Sequence, residues 1–112
     1  MIDYNNKRFR AIQNSENGQV AEGLVFHYHQ EGNVLSCNYS GGDIIKGHLI
    51  GLVDSNGVID MRYHQVDSKG QLMTGICTST PHLMETGKIR LHESWQWTSG
   101  NLSKGTSVLE EV

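Results

Sequence analysis

Residues 58–66, VIDMRYHQV, set Ile59, Met61 and Tyr63 against Asp60, Arg62 and His64. A period of two marks a strand with one dry face and one wet face. The same device brackets the run on both sides, Asp54-Ser-Asn-Gly57 before it and Asp67-Ser-Lys-Gly70 after it. Asp at the first position of a tight turn caps nearby N–H groups. Gly at the fourth takes the positive φ with which the chain re-enters the next strand. Two such turns around one strand predict a meander of antiparallel neighbours rather than a crossover.

Glycine punctuation continues in both directions, at Gly18, Gly32, Gly41, Gly42, Gly87, Gly100 and Gly105. Turn signals recur every ~10–17 residues, the spacing of antiparallel all-β architecture. The pattern predicts eight strands, near 7–13, 20–30, 34–40, 44–53, 58–66, 71–79, 88–98 and 106–112. No segment sustains a helical period. Pro81 falls in TSTPHLMETG, the one connection long enough to hold a short helical turn. Consecutive hairpins leave two open edges unless the sheet closes. The predicted fold is therefore all-β, an antiparallel up-and-down meander barrel of about eight strands, with a two-sheet sandwich as the alternative. Gly47 and Gly51 share a face with Leu49 inside the run 44–53 and fit the bends that closure demands.

Alternation also divides the faces. One side collects Phe9, Ala11, Leu24, Phe26, Tyr28, Leu49, Val53, Ile59, Met61, Tyr63, Leu72, Ile76, Ile89, Leu91, Trp95 and Trp97. The other collects Arg8, Arg10, His27, His29, Lys46, His48, Asp60, Arg62, His64, Lys88, Arg90 and His92. The apolar set is expected inside and the charged set in water.

Composition narrows the classes. At 112 residues the chain is read as one domain, 1–112, and its 37% hydrophobic content with 13 glycines suits a thin core and many turns. A net charge of −3 without a basic block gives nucleic-acid binding no electrostatic support. MIDYNNKRFR lacks the apolar run of a signal peptide, and no run reaches membrane-spanning length. A cytoplasmic location follows as the expectation, with Cys37 and Cys77 as reduced thiols rather than a disulfide.

Candidate chemistry is sparse. His27 and His29 lie two apart, a spacing metal sites use, but five of the six histidines fall on the wet face. A solvated strand face is the stronger reading, so no metal and no cofactor are expected. Glu93 is the exception that matters, because alternation puts it between Leu91 and Trp95 on the dry face. A carboxylate there must be paired, hydrogen-bonded or wet. Tyr28, Tyr63, Gln65, Thr74 and Thr78 share that face, and the first four are its candidate donors. Eight-stranded barrels either fill with side chains or hold one small ligand. The ligand-lining set is then Tyr28, Tyr63, Gln65, Thr74, Glu93, Trp95 and Trp97, with a filled core as the competing reading. Ile50 and Leu52 are apolar on the wet face and would suit a second copy in a homodimer. The chain has no G-x-S-x-G elbow, H-E-x-x-H, P-loop or dinucleotide fingerprint, and no Arg/Gln-x-x-Gly-x-Gly/Ala loop for acetyl-CoA.

The strings NSENGQV, KGHLIGLVDSNGVIDMRYHQV, LMTGICTSTPHL and GKIRLHESWQWTSG resemble a small family of short bacterial proteins labelled "N-acetylglutamate synthase". That resemblance runs nearly end to end and implies acyl transfer. The expected architecture is similar to calycin-type barrels such as the lipocalins and avidins. Two classes of function stay open at this point: a barrel that binds a small molecule in its lumen, and an enzyme of the acyl-transfer kind.

Overall fold

The computed structural model describes residues 2–112, and among them every regular element is a strand. Nine strands form one sheet: β1 (Arg8–Asn14), β2 (Val25–His27), β3 (His29–Glu31), β4 (Val34–Gly41), β5 (Ile44–Val53), β6 (Ile59–Asp67), β7 (Leu72–Leu83), β8 (Ile89–Trp97) and β9 (Lys104–Glu111). All pairings are antiparallel, in the order β2-β1-β9-β8-β7-β6-β5-β4-β3. The ends of that order are consecutive in the chain. Residues 25–31 pair with β1 through their first half and with β4 through their second, so the meander returns on itself. The barrel and its antiparallel meander are as the sequence predicts.

The second expected strand, 20–30, differs. Its first residues belong to a loop, and Tyr28 divides the rest into β2 and β3. A strand that changes partners must bend at the change. Here Tyr28 turns inward while its N–H reaches the Lys7 carbonyl and its carbonyl accepts from Asn6 N–H, both at 2.9 Å.

The repeated turns hold as expected. The Asp54 carboxylate accepts from Asn56 and Val58 N–H at 2.8 and 3.0 Å, and Asp67 does the same for Lys69 and Gln71 at 3.0 and 2.9 Å. Gly57 and Gly70 sit at φ 80° and 78°, where a Cβ would be strained. A third turn of this build ends at Gly87, whose N–H donates to the Met84 carbonyl at 2.9 Å.

That third turn shortens the connection around Pro81, which the sequence pattern, by ending the strand at residue 79, leaves long enough for a helical turn. β7 runs through Pro81 to Leu83 and pairs with β8 along its length. Proline is tolerated because the β6 ladder ends at Ser79, leaving β7 a neighbour on one side only at Pro81.

The face assignment holds for most strands, with Phe9, Phe26, Tyr28, Leu49, Ile59, Met61, Leu91, Trp95 and Trp97 all buried. On β7 it is inverted. Leu72 is 68% exposed and Ile76 is 36% exposed, Thr78 faces out, and Gly75, Cys77 and Ser79 face in. Register gives the reason. Gly75 lies between Tyr63 and Trp97, Cys77 between Met61 and Trp95, and Ser79 between Ile59 and Glu93. Large neighbours on both sides leave room only for small residues between them.

Close approach also explains three glycines. Tyr39, Tyr63 and Trp95 each fold over the glycine directly opposite on the next strand, Gly47, Gly75 and Gly105. A Cβ at these positions would meet the aromatic ring at 2.3, 2.2 and 2.2 Å. The rings thereby shield bare backbone and occupy the lumen wall.

Candidate functional site

Rungs of the sheet define the lumen. Nearest the mouth lie Tyr63 and Trp97 across Gly75, then Met61 and Trp95 flanking Cys77, then Ile59, Ser79, Glu93 and Ser107. The floor is aromatic: Tyr28 packs on Phe9 and Phe26, with ring centroids 5.2 and 6.4 Å apart. Between these layers the side chains leave a cavity of about 60 Å³, walled by Phe26, Tyr28, Tyr39, Tyr63, Trp95 and Trp97 with Glu93, Gln65 and Ser107 among its polar atoms. Space of that size holds a few water molecules.

Glu93 points inward, as alternation requires. Its donors are not the predicted ones. Ser79 Oγ donates to one carboxylate oxygen at 2.5 Å and Ser107 Oγ to the other at 2.9 Å, with the Cys77 thiol a further donor. Both serines are its direct cross-strand partners, on β7 and β9. Burial pushes the carboxyl above its ordinary value, and the three hydrogen bonds oppose that rise without reversing it. The group is deep in the barrel yet only partly shut off from solvent-sized space, because it borders the cavity. Burial raises the Cys77 thiol far above its ordinary value and the Glu93 charge adds to this, so Cys77 is no thiolate nucleophile. The Tyr28 and Tyr63 hydroxyls are also pushed well up, first by burial. Among the described residues no buried side-chain nitrogen or oxygen is left without a hydrogen-bond partner.

The mouth is crossed by a strap, residues 15–24, which joins β1 to β2. Trp95 Nε1 donates to Asn14 Oδ1 at 3.2 Å and Trp97 Nε1 to the Asn17 carbonyl at 3.0 Å. Asn14 in turn holds the Val20 carbonyl at 3.0 Å. Gln19 reaches into the mouth, accepting from Gln65 Nε2 at 2.7 Å and donating to Asp67 Oδ2 at 2.9 Å. Tyr39 completes the chain by donating its hydroxyl to Gln65 Oε1 at 2.8 Å.

Of the seven residues chosen from sequence, Tyr28, Tyr63, Gln65, Glu93, Trp95 and Trp97 surround this cavity. Thr74 does not. The inverted phase of β7 turns it outward, where its hydroxyl meets that of Thr98 at 2.8 Å. Sequence reasoning missed Tyr39, Gln19, Asn14, Cys77, Ser79 and Ser107. Ser79 was findable, since taking Gly87 as a hairpin turn sets it opposite Glu93. The strap was not, because its residues carry no periodicity.

On the outer face, His27 with His29 and His48 with His64 form adjacent ring pairs, with centroids 4.7 and 5.5 Å apart. Among the described residues no group of three or more His, Cys, Asp or Glu side chains is arranged to hold a metal ion.

A closed up-and-down meander with an aromatic lumen defines a calycin-type barrel. The family profile described as "Avidin-like protein" matches residues 2–112, and the chain belongs to that family. No curated protein and no solved structure matches it. Among the described residues no helix is long and apolar enough to cross a membrane.

Proposed function

We propose that the protein binds a small, planar, largely apolar molecule in the barrel lumen, with Glu93 and the hydroxyls of Tyr28 and Tyr63 as its polar contacts. One observation carries this reading: an aromatic cavity toward one end of the barrel, with Tyr28, Tyr63, Gln65 and Glu93 supplying the polar side chains of its lining. Aromatic walls with a few fixed polar groups are the ordinary lining of a ligand pocket. The present space is smaller than such pockets, which run to ~300–1,000 Å³, so a ligand enters with the strap displaced. Membership of the avidin-like family supports a lumenal ligand rather than a surface reaction.

Trp95 and Trp97, the two tryptophans of the chain, both wall the cavity, so intrinsic fluorescence reports its occupancy. Toluene and indole titrated into the protein should quench or shift that emission saturably. Cys77→Leu, which fills the space beside Trp95, should abolish the response while the far-UV spectrum stays that of a sheet. A response that is linear in ligand, or equal in the filled variant, would end the lumenal reading. Native mass spectrometry of protein purified from its own host would then identify the natural ligand as a non-covalent adduct.

Acyl transfer from a CoA thioester, which the sequence resemblance implies, needs a cradle for a pyrophosphate. Strands and tight turns offer no helix N-terminus for it, and calorimetry with acetyl-CoA is expected to show no binding. A cytoplasmic location is supported by two free, buried thiols. Homodimerisation draws on Ile50 and Leu52, half-exposed on the outer face of β5, with Val34 opposite Leu52 on β4.

A further inference from the structure

Gln19 does more than close the mouth. Its side-chain carboxamide sits in a clamp whose two halves are oriented by other residues. Asp67 spends Oδ1 on the backbone of its own turn, which leaves Oδ2 aimed at the mouth as an acceptor. The Tyr39 hydroxyl occupies Gln65 Oε1, which leaves Gln65 Nε2 aimed at the mouth as a donor. A carboxylate only accepts, so Asp67 sets the direction of the whole chain: Gln19 must show it an N–H, and therefore shows Gln65 an oxygen. Donor and acceptor are in place whether or not Gln19 is there. Gln19 and Gln65 line the cavity together with its aromatic walls, and Asp67 is reached from it through the Gln19 carboxamide.

We infer that the clamp of Gln65 and Asp67 is a ligand subsite for a carboxamide, and that Gln19 of the strap is its internal occupant, displaced when an amide-bearing aromatic molecule enters the lumen. The proposal rests on the lumenal reading above and adds to it the class of ligand and the competitor. A primary amide offers an N–H donor and a C=O acceptor on one carbon, the same pair that Gln19 presents. A carboxylate of identical shape has no proton for Asp67 and brings a second negative charge to it. Discrimination between the two should be steep, because a site built around a hydrogen bond leaves its own groups unpaired with the wrong partner. Apart from Val20 and, where the strap meets β2, Leu24, which pack on the core, the strap is held by hydrogen bonds, which exchange with water at small net cost. Its release therefore costs less than opening a packed end of the barrel.

The test compares benzamide, benzoate, N,N-dimethylbenzamide and toluene by tryptophan fluorescence, in the wild-type chain and in Gln19→Ala. Removal of an intramolecular competitor should tighten benzamide binding by about tenfold or more, since the fraction of open sites rises toward one. Toluene also needs the strap displaced and should gain as well, so the subsite is read from the variant itself, where toluene, benzoate and the dimethylated amide should each bind at least about tenfold more weakly than benzamide. Gln65→Met should erase the preference for benzamide over toluene, with the melting temperature of each variant reporting that it folds. Equal benzamide affinity in wild type and Gln19→Ala, or equal binding of benzoate, overturns the carboxamide subsite. If toluene still binds both chains in that case, the lumenal reading survives without it. If no probe binds either chain, both fall.

Discussion

At one end of the barrel Tyr4 is wholly buried, its ring 6.0 Å from Phe9 and 6.3 Å from Tyr28, and its hydroxyl donates to the Gly57 carbonyl at 2.6 Å. Ile2 packs beside it over the β5–β6 turn. At the other end Gln19, Asn14 and Asn17 meet Gln65, Asp67, Trp95 and Trp97 through hydrogen bonds, and the cavity lies under them. Both ends are covered, but by different physics. Tyr4 excludes water from an apolar contact, and nothing in solvent substitutes for that. The strap trades one set of hydrogen bonds for another when it opens. A barrel sealed by packing at one end and by exchangeable polar contacts at the other has its entrance at the second.

The largest expected effect breaks the packed end. Tyr4→Ala should cost about 3–5 kcal/mol of unfolding free energy, the range for a large buried ring removed without collapse. Tyr4→Phe should cost only about 0.5–1.5 kcal/mol, the net value of one hydrogen bond. Denaturant titration measures both. Gln19→Ala, at the polar end, should stay below about 1 kcal/mol by the same measure. A strap variant as damaging as Tyr4→Ala would remove the contrast between the ends.

Next in size are changes to the lumen wall. Gly105→Ala forces Trp95 off its seat, because the new methyl would stand 2.2 Å from the indole. Overpacking of this kind costs about 1–3 kcal/mol, and the tryptophan emission should shift with it. Glu93→Leu should cost a similar ~1–3 kcal/mol, because Ser79 and Ser107 lose their acceptor inside the barrel.

Smaller, but more diagnostic, is the pH dependence. Burial raises the Glu93 carboxyl above its ordinary 4.5, so the folded chain holds that proton to higher pH than the unfolded chain does. Its influence is absent below 4.5, and it erodes stability as pH climbs from there through the raised folded value. Asp67 acts with the opposite sign. Hydrogen bonds, led by the Gln71 N–H, lower it below its ordinary 3.8, so its contribution is present above 3.8 and lost as pH falls through the lowered value. Glu93→Gln should therefore flatten the upper limb of a melting-temperature profile and leave the acid limb in place. An unchanged upper limb would show that Glu93 is not the group responsible.

The smallest expected effect lies outside both ends. Leu52→Lys on the exposed face of β5 should change monomer stability by less than about 0.5 kcal/mol. Sedimentation velocity then separates a bare outer face from a dimer contact, since only the second loses mass on substitution.

How much of this was legible without coordinates follows from how far each signal reaches along the chain. The Asp-x-x-Gly turns, the alternation of β6 and β8 and the inward Glu93 are set by neighbours within a few residues, and they stand. β7 shows where local reading stops. Leu72 and Ile76 are its apolar residues and point outward, because Tyr63, Met61, Trp95 and Trp97 on the flanking strands leave space only for Gly75, Cys77 and Ser79. The steric demand comes from other strands, so no period within 72–79 reveals it. The same limit hid Tyr4, which precedes the first strand.

Alone, the amino-acid sequence determined a meander of antiparallel strands, the positions of most of its turns, and one carboxylate on the dry face. Turn chemistry and alternation are local, and local preferences survive folding when nothing distant opposes them. Tertiary structure decided which residues share a rung, hence which donors hold Glu93, which glycines sit beneath aromatic rings, and which end of the barrel Gln19 closes. Those are matters of register between strands and of volume within a closed lumen, and both exist only once the sheet has met itself.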